Sequence, residues 1–128
     1  MTLHVALVVP DRELWSGTAS MVIAKTAEGD IGVLTGHSPV FGVLTEGSVA
    51  EILTDETRVR AAVSGGFLSV ADDRVSILAA QAELAGEINV EETRAELAAA
   101  LAEAAPGAED SPAVRFARAR LRAAGSQD

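Results

Sequence analysis

The feature that most constrains the fold is a change of grammar near Ile88. Residues 1–88 hold 24 of the 27 Val, Ile and Thr residues and nine of the 11 glycines, whereas residues 89–128 hold 13 alanines in 40 positions. Branched side chains lose rotamer freedom against a helical turn and fit a pleated surface, while alanine loses none in a helix. Strands therefore come first and helices after. In the first region Leu3, Val5, Leu7 and Val9 alternate with His4, Ala6 and Val8. Val59, Ala61 and Val63 likewise alternate with Arg58, Arg60 and Ala62, which is strand period. Runs such as MVIAK, IGVL, FGVL, VAEILT, FLSV and RVSILAA are separated by AEGD, TGHSP, TEGS, TDET, SGG and ADD, the spacing of an antiparallel sandwich or barrel.

The second region opens at Asn89, a good N-cap, with Glu92 three positions on where a capping box and the helix dipole both favour an acid. Leu97 and Leu101, flanked by Ala100 and Ala104, make a narrow apolar stripe, and Pro106 with Gly107 ends the run. Ser111 as cap and Pro112 as first helical residue start a second helix, in which Val114, Ala117, Leu121 and Ala124 recur at helical spacing until Gly125. Two antiparallel helices joined by about six residues are expected, with a boundary between 1–88 and 89–128. Alanine buries little area compared with the roughly 1.5–3 kcal/mol of a buried Leu or Phe, so the hairpin is expected to be weakly held, the physical requirement of a switch.

A net charge of −9 and a pI near 4.6 repel nucleic acid and anionic lipid, and favour a partner with exposed Arg or Lys. One Trp, three Phe and no Tyr leave no aromatic platform for stacking bases. With no cysteine there is no disulfide frame, zinc ribbon or thiol nucleophile. Apolar runs such as Val5 to Val9 are far short of a membrane span, and the start lacks the basic residues of a signal peptide, so a cytoplasmic protein is expected.

The candidate chemistry is sparse. His4 lies on an expected strand and His37 in a loop, without the spacing of metal ligands. Ser38 beside His37 lacks a nucleophile elbow and a third partner. Asp72 and Asp73 read as a hairpin turn, and Gly65–Gly66 as a bulge or close backbone approach, since no Lys and helix follow as in a phosphate loop. Arg115, Arg118 and Arg122 line one helix face, with Arg120 just off it. That stripe is either a solvated face paired with Glu91, Glu92, Glu96 and Glu103, or a surface for docking on acid. The stretch Glu28 to Val40, EGDIGVLTGHSPV, puts carboxylates, a histidine and a proline into strand and turn sequence, as a catalytic loop or a docking surface would.

Four segments taken together resemble the epsilon subunit of the bacterial F-type ATP synthase. They are VVPDRELWSG at 8–17, TAEGDIGVLTGHSPVFGVLTEG at 26–47, AAVSGGFLSVADDRVSILA at 61–79 and AELAGEINVEE at 82–92, in the family's order and spacing. The resemblance implies an α+β protein: a ten-stranded antiparallel β-sandwich over 1–88, followed by a two-helix hairpin over 89–128. It implies a non-catalytic rotor subunit on the cytoplasmic side of the cell membrane, attached only through the complex, with the gamma subunit on one sandwich face. The ring of c subunits would meet the loops carrying Glu28, Asp30 and His37. It further implies a hairpin with two states, folded on the sandwich or extended into the catalytic hexamer, where Arg115, Arg118 and Arg122 would meet an acidic segment of a beta subunit and block ATP hydrolysis. Some members hold the folded state with ATP, through a motif of Ile or Leu, Asp, two variable residues, Arg and Ala. Here Asn89, Glu92 and Thr93 replace its Asp, Arg and Ala, and Arg94–Ala95 arrive two residues late, about 200° around the helix, so no cofactor is expected. The alternatives are a nucleotide sensor or a passive structural module on the same sandwich.

Overall fold

In the computed structural model, which describes residues 2–107 and 110–125, the alternating region forms eight strands among the described residues. They are β1 (Leu3–Val9), β2 (Arg12–Ala19), β3 (Met21–Thr26), β4 (Gly29–Leu34), β5 (Val40–Val43), β6 (Ser48–Leu53), β7 (Arg58–Ala71) and β8 (Arg74–Leu84). The order is β2-β1-β8-β7-β6-β3-β4, with β5 also beside β7. Adjacent strands run antiparallel except β1 and β8, which are parallel.

The expected count of ten strands is corrected to eight, and the reason lies at Gly65–Gly66. The segments 58–63 and 67–70, which read as separate strands, are one continuous β7. Its first half pairs with β6 and its second half with β5. β8 bends alongside: Val75 to Leu78 lie against β1, while Gln81 to Leu84 accompany the first half of β7. A tally of ten arises only when these two long strands are counted once in each layer. The glycines permit the bend because both have positive φ, +69° and +102°, and a Cβ on Gly66 would lie 1.9 Å from the Leu78 carbonyl oxygen. The ladder keeps its register across them, Ser64 facing Gln81 and Gly66 facing Ala79, so this is close backbone approach and not an inserted residue.

β2 escaped the pattern because its sequence, RELWSGTA, has no apolar alternation; Leu14 and Trp15 pack half-buried at the core's margin. Asp72 and Asp73 form the expected turn. Both are left-handed, at φ 52° and 61°, between the paired Ala71 and Arg74, as a two-residue hairpin requires. Between the layers lies one core in which Leu3 and Leu7 of β1, Val22 of β3, Ile52 of β6, Leu68 of β7 and Ile77 of β8 are fully buried.

A short 3₁₀ turn (Ala85–Glu87) leads into α1 (Val90–Glu103), and α2 (Pro112–Ala123) follows after a connection of residues 104–111, longer than expected. Ala108 and Glu109 of that connection lie outside the described residues. Both caps form as read: the Asn89 side chain accepts from the Glu92 N–H at 3.0 Å, and Ser111 from the Val114 N–H at 3.4 Å. α2 lies on β6 and β7, and α1 rests on α2. This explains why Ala61, Ala62, Val63 and Ser64 are all buried in β7: Ala61 and Val63 face the inner core, while Ala62 meets Ala119 and Ala123 of α2. Alanine against alanine lets helix and sheet approach closely. It also leaves that interface with little apolar area.

Candidate docking surfaces and the helical hairpin

Glu28 sits in the exposed turn between β3 and β4, and Asp30 follows on β4, where it faces Lys25 across the ladder at 3.9 Å. Both line a cavity of about 350 Å³ between the edges of β4 and β5, whose apolar wall includes Ile31, Val40, Phe41 and Leu68. His37 is not among its lining residues. It lies half-buried in the loop before β5, its Nδ1 2.7 Å from the Ser38 carbonyl oxygen. That loop is fastened from a distance, since the Gly36 N–H donates to the Asp73 carboxylate at 2.7 Å. His4 is an exposed residue of β1. Among the described residues no group of three or more His, Asp or Glu is placed to hold a metal ion, and no helix is long and apolar enough to cross a membrane.

A surface not singled out from sequence lies on the outward face of β5, β7 and β8. Phe41, Val43, Phe67 and Leu78 are exposed there, with Phe41 67% accessible. Phe67 is paired across strands with both Val43 and Leu78. The Phe41 and Phe67 rings stack with centroids 5.2 Å apart. Val8, Pro10 and Ala80 continue the patch beside Leu78 and Phe67 around a shallow apolar cavity. In a chain of net charge −9, a contiguous apolar patch of this kind marks an interaction surface. Its signal was present in FGVL and FLSV, but alternation says only that two faces differ, not that the second is also apolar.

On α2, Arg115 donates to Asp110 at 2.7 Å, and this hydrogen bond holds the Asp110 carboxyl below its ordinary value and the Arg115 guanidinium above its own. Arg122 donates to the Gly47 carbonyl at 3.1 Å, in the loop before β6, and Arg118 is half-buried. Gly47 also lets the helix come down: a Cβ there would lie 2.4 Å from the Arg115 Cβ. Of the four glutamates considered as partners for the stripe, Glu96 pairs instead with Arg120.

Arg120 is the residue that sequence reasoning passed over. It donates from Nε to Glu83 of β8 at 2.9 Å, and from its two terminal nitrogens to Glu96 at 2.6 Å and to the Thr93 hydroxyl at 3.3 Å, both on α1. Its guanidinium also stands 5.4 Å from the centre of the Phe116 ring. Burial works against the charge, but the hydrogen bond and charge of Glu96 and then of Glu83 outweigh it, and the Arg120 pKa is raised. Thr93 is fully buried and donates to the Asn89 carbonyl at 2.7 Å, so Asn89, Glu92 and Thr93 all take part in starting or seating α1.

A two-layer sandwich with a small helical hairpin seated on it and an apolar outer sheet face is the build of a protein-binding module. A family model for the beta-sandwich domain of the ATP synthase delta/epsilon chain matches residues 2–85. The ATP synthase epsilon chain of Thermobifida fusca (strain YX) is 54% identical, covering 98% of this chain and 94% of the relative. That of Streptomyces coelicolor is 50% identical, covering 95% and 94%. Among solved structures, a chain in the Euglena gracilis mitochondrial ATP synthase assembly of OSCP, F1 and c-ring superposes with a TM-score of 0.73 at 22% identity, over 97% of this chain and 79% of that one. The chain belongs to the ATP synthase epsilon chain family and is a non-catalytic component of that complex.

Proposed function

We propose that the chain is a central-stalk rotor subunit that joins the gamma subunit to the ring of c subunits and restrains ATP hydrolysis through its helical hairpin, on the cytoplasmic side of the membrane. The observation that supports this best is the separation of three surfaces of different chemistry, two on the sandwich and one on the hairpin. The apolar patch of Phe41, Val43, Phe67 and Leu78 suits a permanent partner, because desolvating it offers affinity without a charge to compensate. We assign it to gamma. The acidic β3–β4 turn with Glu28 and Asp30 suits the basic loops of a ring, where complementary charge sets register, whereas His37 lies past the other end of β4, in the loop tied to the β7–β8 turn. The arginines of α2 suit an acidic segment of a beta subunit once the hairpin leaves the sandwich.

The reading is tested in a reconstituted ATP synthase by measuring ATP hydrolysis and proton pumping together. Replacing Arg115, Arg118 and Arg122 with Ala should raise hydrolysis nearly as far as deleting residues 89–128, with assembly intact. Reversing Glu28 and Asp30 to Lys should lower the protons pumped per ATP without unfolding the sandwich. Parent rates in the first variant would remove the inhibitory role, and parent coupling in the second would remove the ring assignment.

A further inference from the structure

We propose that Arg120 is an ion-pair latch, built from the chain's own side chains, that sets how readily the helical hairpin leaves the sandwich. Three elements meet at this one guanidinium. Glu83 belongs to β8 and hence to the sandwich, Glu96 and Thr93 to α1, and Arg120 itself to α2. All three nitrogens of the planar fork are engaged: Nε toward the sandwich and the two terminal nitrogens toward α1. The Arg120 side chain is 16% exposed, against 31% for Glu83 and 55% for Glu96. The contact is thus shielded enough to be strong and open enough to be reached by competing ions.

Its weight follows from what else holds α2. The buried residues of that helix are Val114, Ala117, Ala119, Leu121 and Ala123, three of them alanines, and Ala119 and Ala123 pack with Ala62 of β7. The apolar seat supplies shape without much area, so the charged contact decides a larger share of the seating than it would under a leucine-rich helix. Removing one member of a shielded pair also leaves the other charge unpaired, which favours the open state, where that charge regains water. Arg120 and the stripe of Arg115, Arg118 and Arg122 therefore act with opposite sign on one helix. Arg120 keeps the hairpin down, while the stripe, apart from the Arg122 hydrogen bond to the Gly47 carbonyl, acts once it is up, a contrast that rests on the inhibitory reading above.

Hydrogen exchange of the isolated full-length protein tests the latch without reference to that reading. In Glu83→Gln/Glu96→Gln, which leaves every arginine in place, amides of residues 113–123 should exchange at least tenfold faster, while amides of β1, β3 and β6 keep parent protection and report an intact sandwich. Arg120→Met, which keeps the length and loses the charge, should do the same, and Arg120→Lys should restore part of the protection. Sodium chloride at 0.5 M should speed exchange of α2 in the parent and have less effect in the double variant. Parent-like exchange of α2 in both the double variant and Arg120→Met would overturn the latch. In the reconstituted complex the double variant should be inhibited more strongly than the parent. Faster exchange with unchanged hydrolysis would keep the latch and count against the inhibitory reading alone.

Discussion

In the sandwich, Leu3, Leu7, Leu68 and Ile77 are fully buried, and each side chain of that size contributes roughly 1.5–3 kcal/mol on leaving water. The helix α2 seats itself with three alanines, one valine and one leucine, and adds Arg120 with two carboxylates. The two regions thus depend on different variables. Apolar burial is little affected by moderate salt, whereas charged contacts weaken as ions screen or compete for them. One molecule can therefore contain a body that does not yield and an arm that does.

The largest effect expected from that contrast is at the bend. Gly66→Ala must place a Cβ 1.9 Å from the Leu78 carbonyl oxygen at a φ of +102°, which no side-chain movement relieves. It should cost roughly 4 kcal/mol or prevent folding, seen as loss of the cooperative thermal transition. Survival of the parent melting temperature would show that the layers do not depend on the shared strands.

A paired comparison of Gly47→Ala with Gly36→Ala sharpens the difference between body and arm. Both glycines have positive φ, +66° and +84°, so both variants carry about 1–2 kcal/mol of backbone strain. Only Gly47 lies under α2, where the new methyl would meet Arg115; at Gly36 there is open space. Gly36→Ala should lower the melting temperature slightly and leave α2 protected from hydrogen exchange, whereas Gly47→Ala should also expose α2. Equal protection of α2 in the two variants would mean that the loop before β6 is not part of its seat.

The smallest effect concerns acid. The folded pKa of Asp110 is depressed by its hydrogen bond from Arg115, so whatever this pair contributes to the start of α2 is present above the ordinary carboxyl value of 3.8 and is lost as pH falls through the folded value. A carboxyl titration followed by NMR should show a midpoint below 3.8 in the parent and near 3.8 in Arg115→Ala. The same midpoint in both would remove the pair as the cause.

What was legible in sequence was whatever depends on near neighbours in the chain. The caps at Asn89 and Ser111, the left-handed Asp72–Asp73 turn and the glycine approach at 65–66 are local matters of backbone geometry. β2 was missed because an edge strand whose side chains are largely exposed needs no alternation. The parallel pairing of β1 with β8 could not be read, since Val5 meets Val75 from 70 positions away. Of the candidate site, the exposed acidic turn and the helical arginine stripe were legible as patterns. Arg120 was not, because what gives it meaning stands 24 and 37 residues earlier, at Glu96 and Glu83. A side chain one step off a helical stripe looks incidental until the third dimension supplies its partners.

The shared strands carry one more consequence, and it is mechanical. In a sandwich whose layers touch only through side chains, a sideways load is resisted by packing, which can slip. Here β7 and β8 pass from one layer into the other as unbroken peptide, side by side and in register across Gly65 and Gly66. A force applied to the face bearing Phe41 and Phe67 reaches the layer of β3, β4 and β6 through covalent bonds in two parallel tethers. For a part proposed to sit between a turning shaft and a ring, such a body deforms little under torque and delivers at one face nearly the rotation it receives at the other.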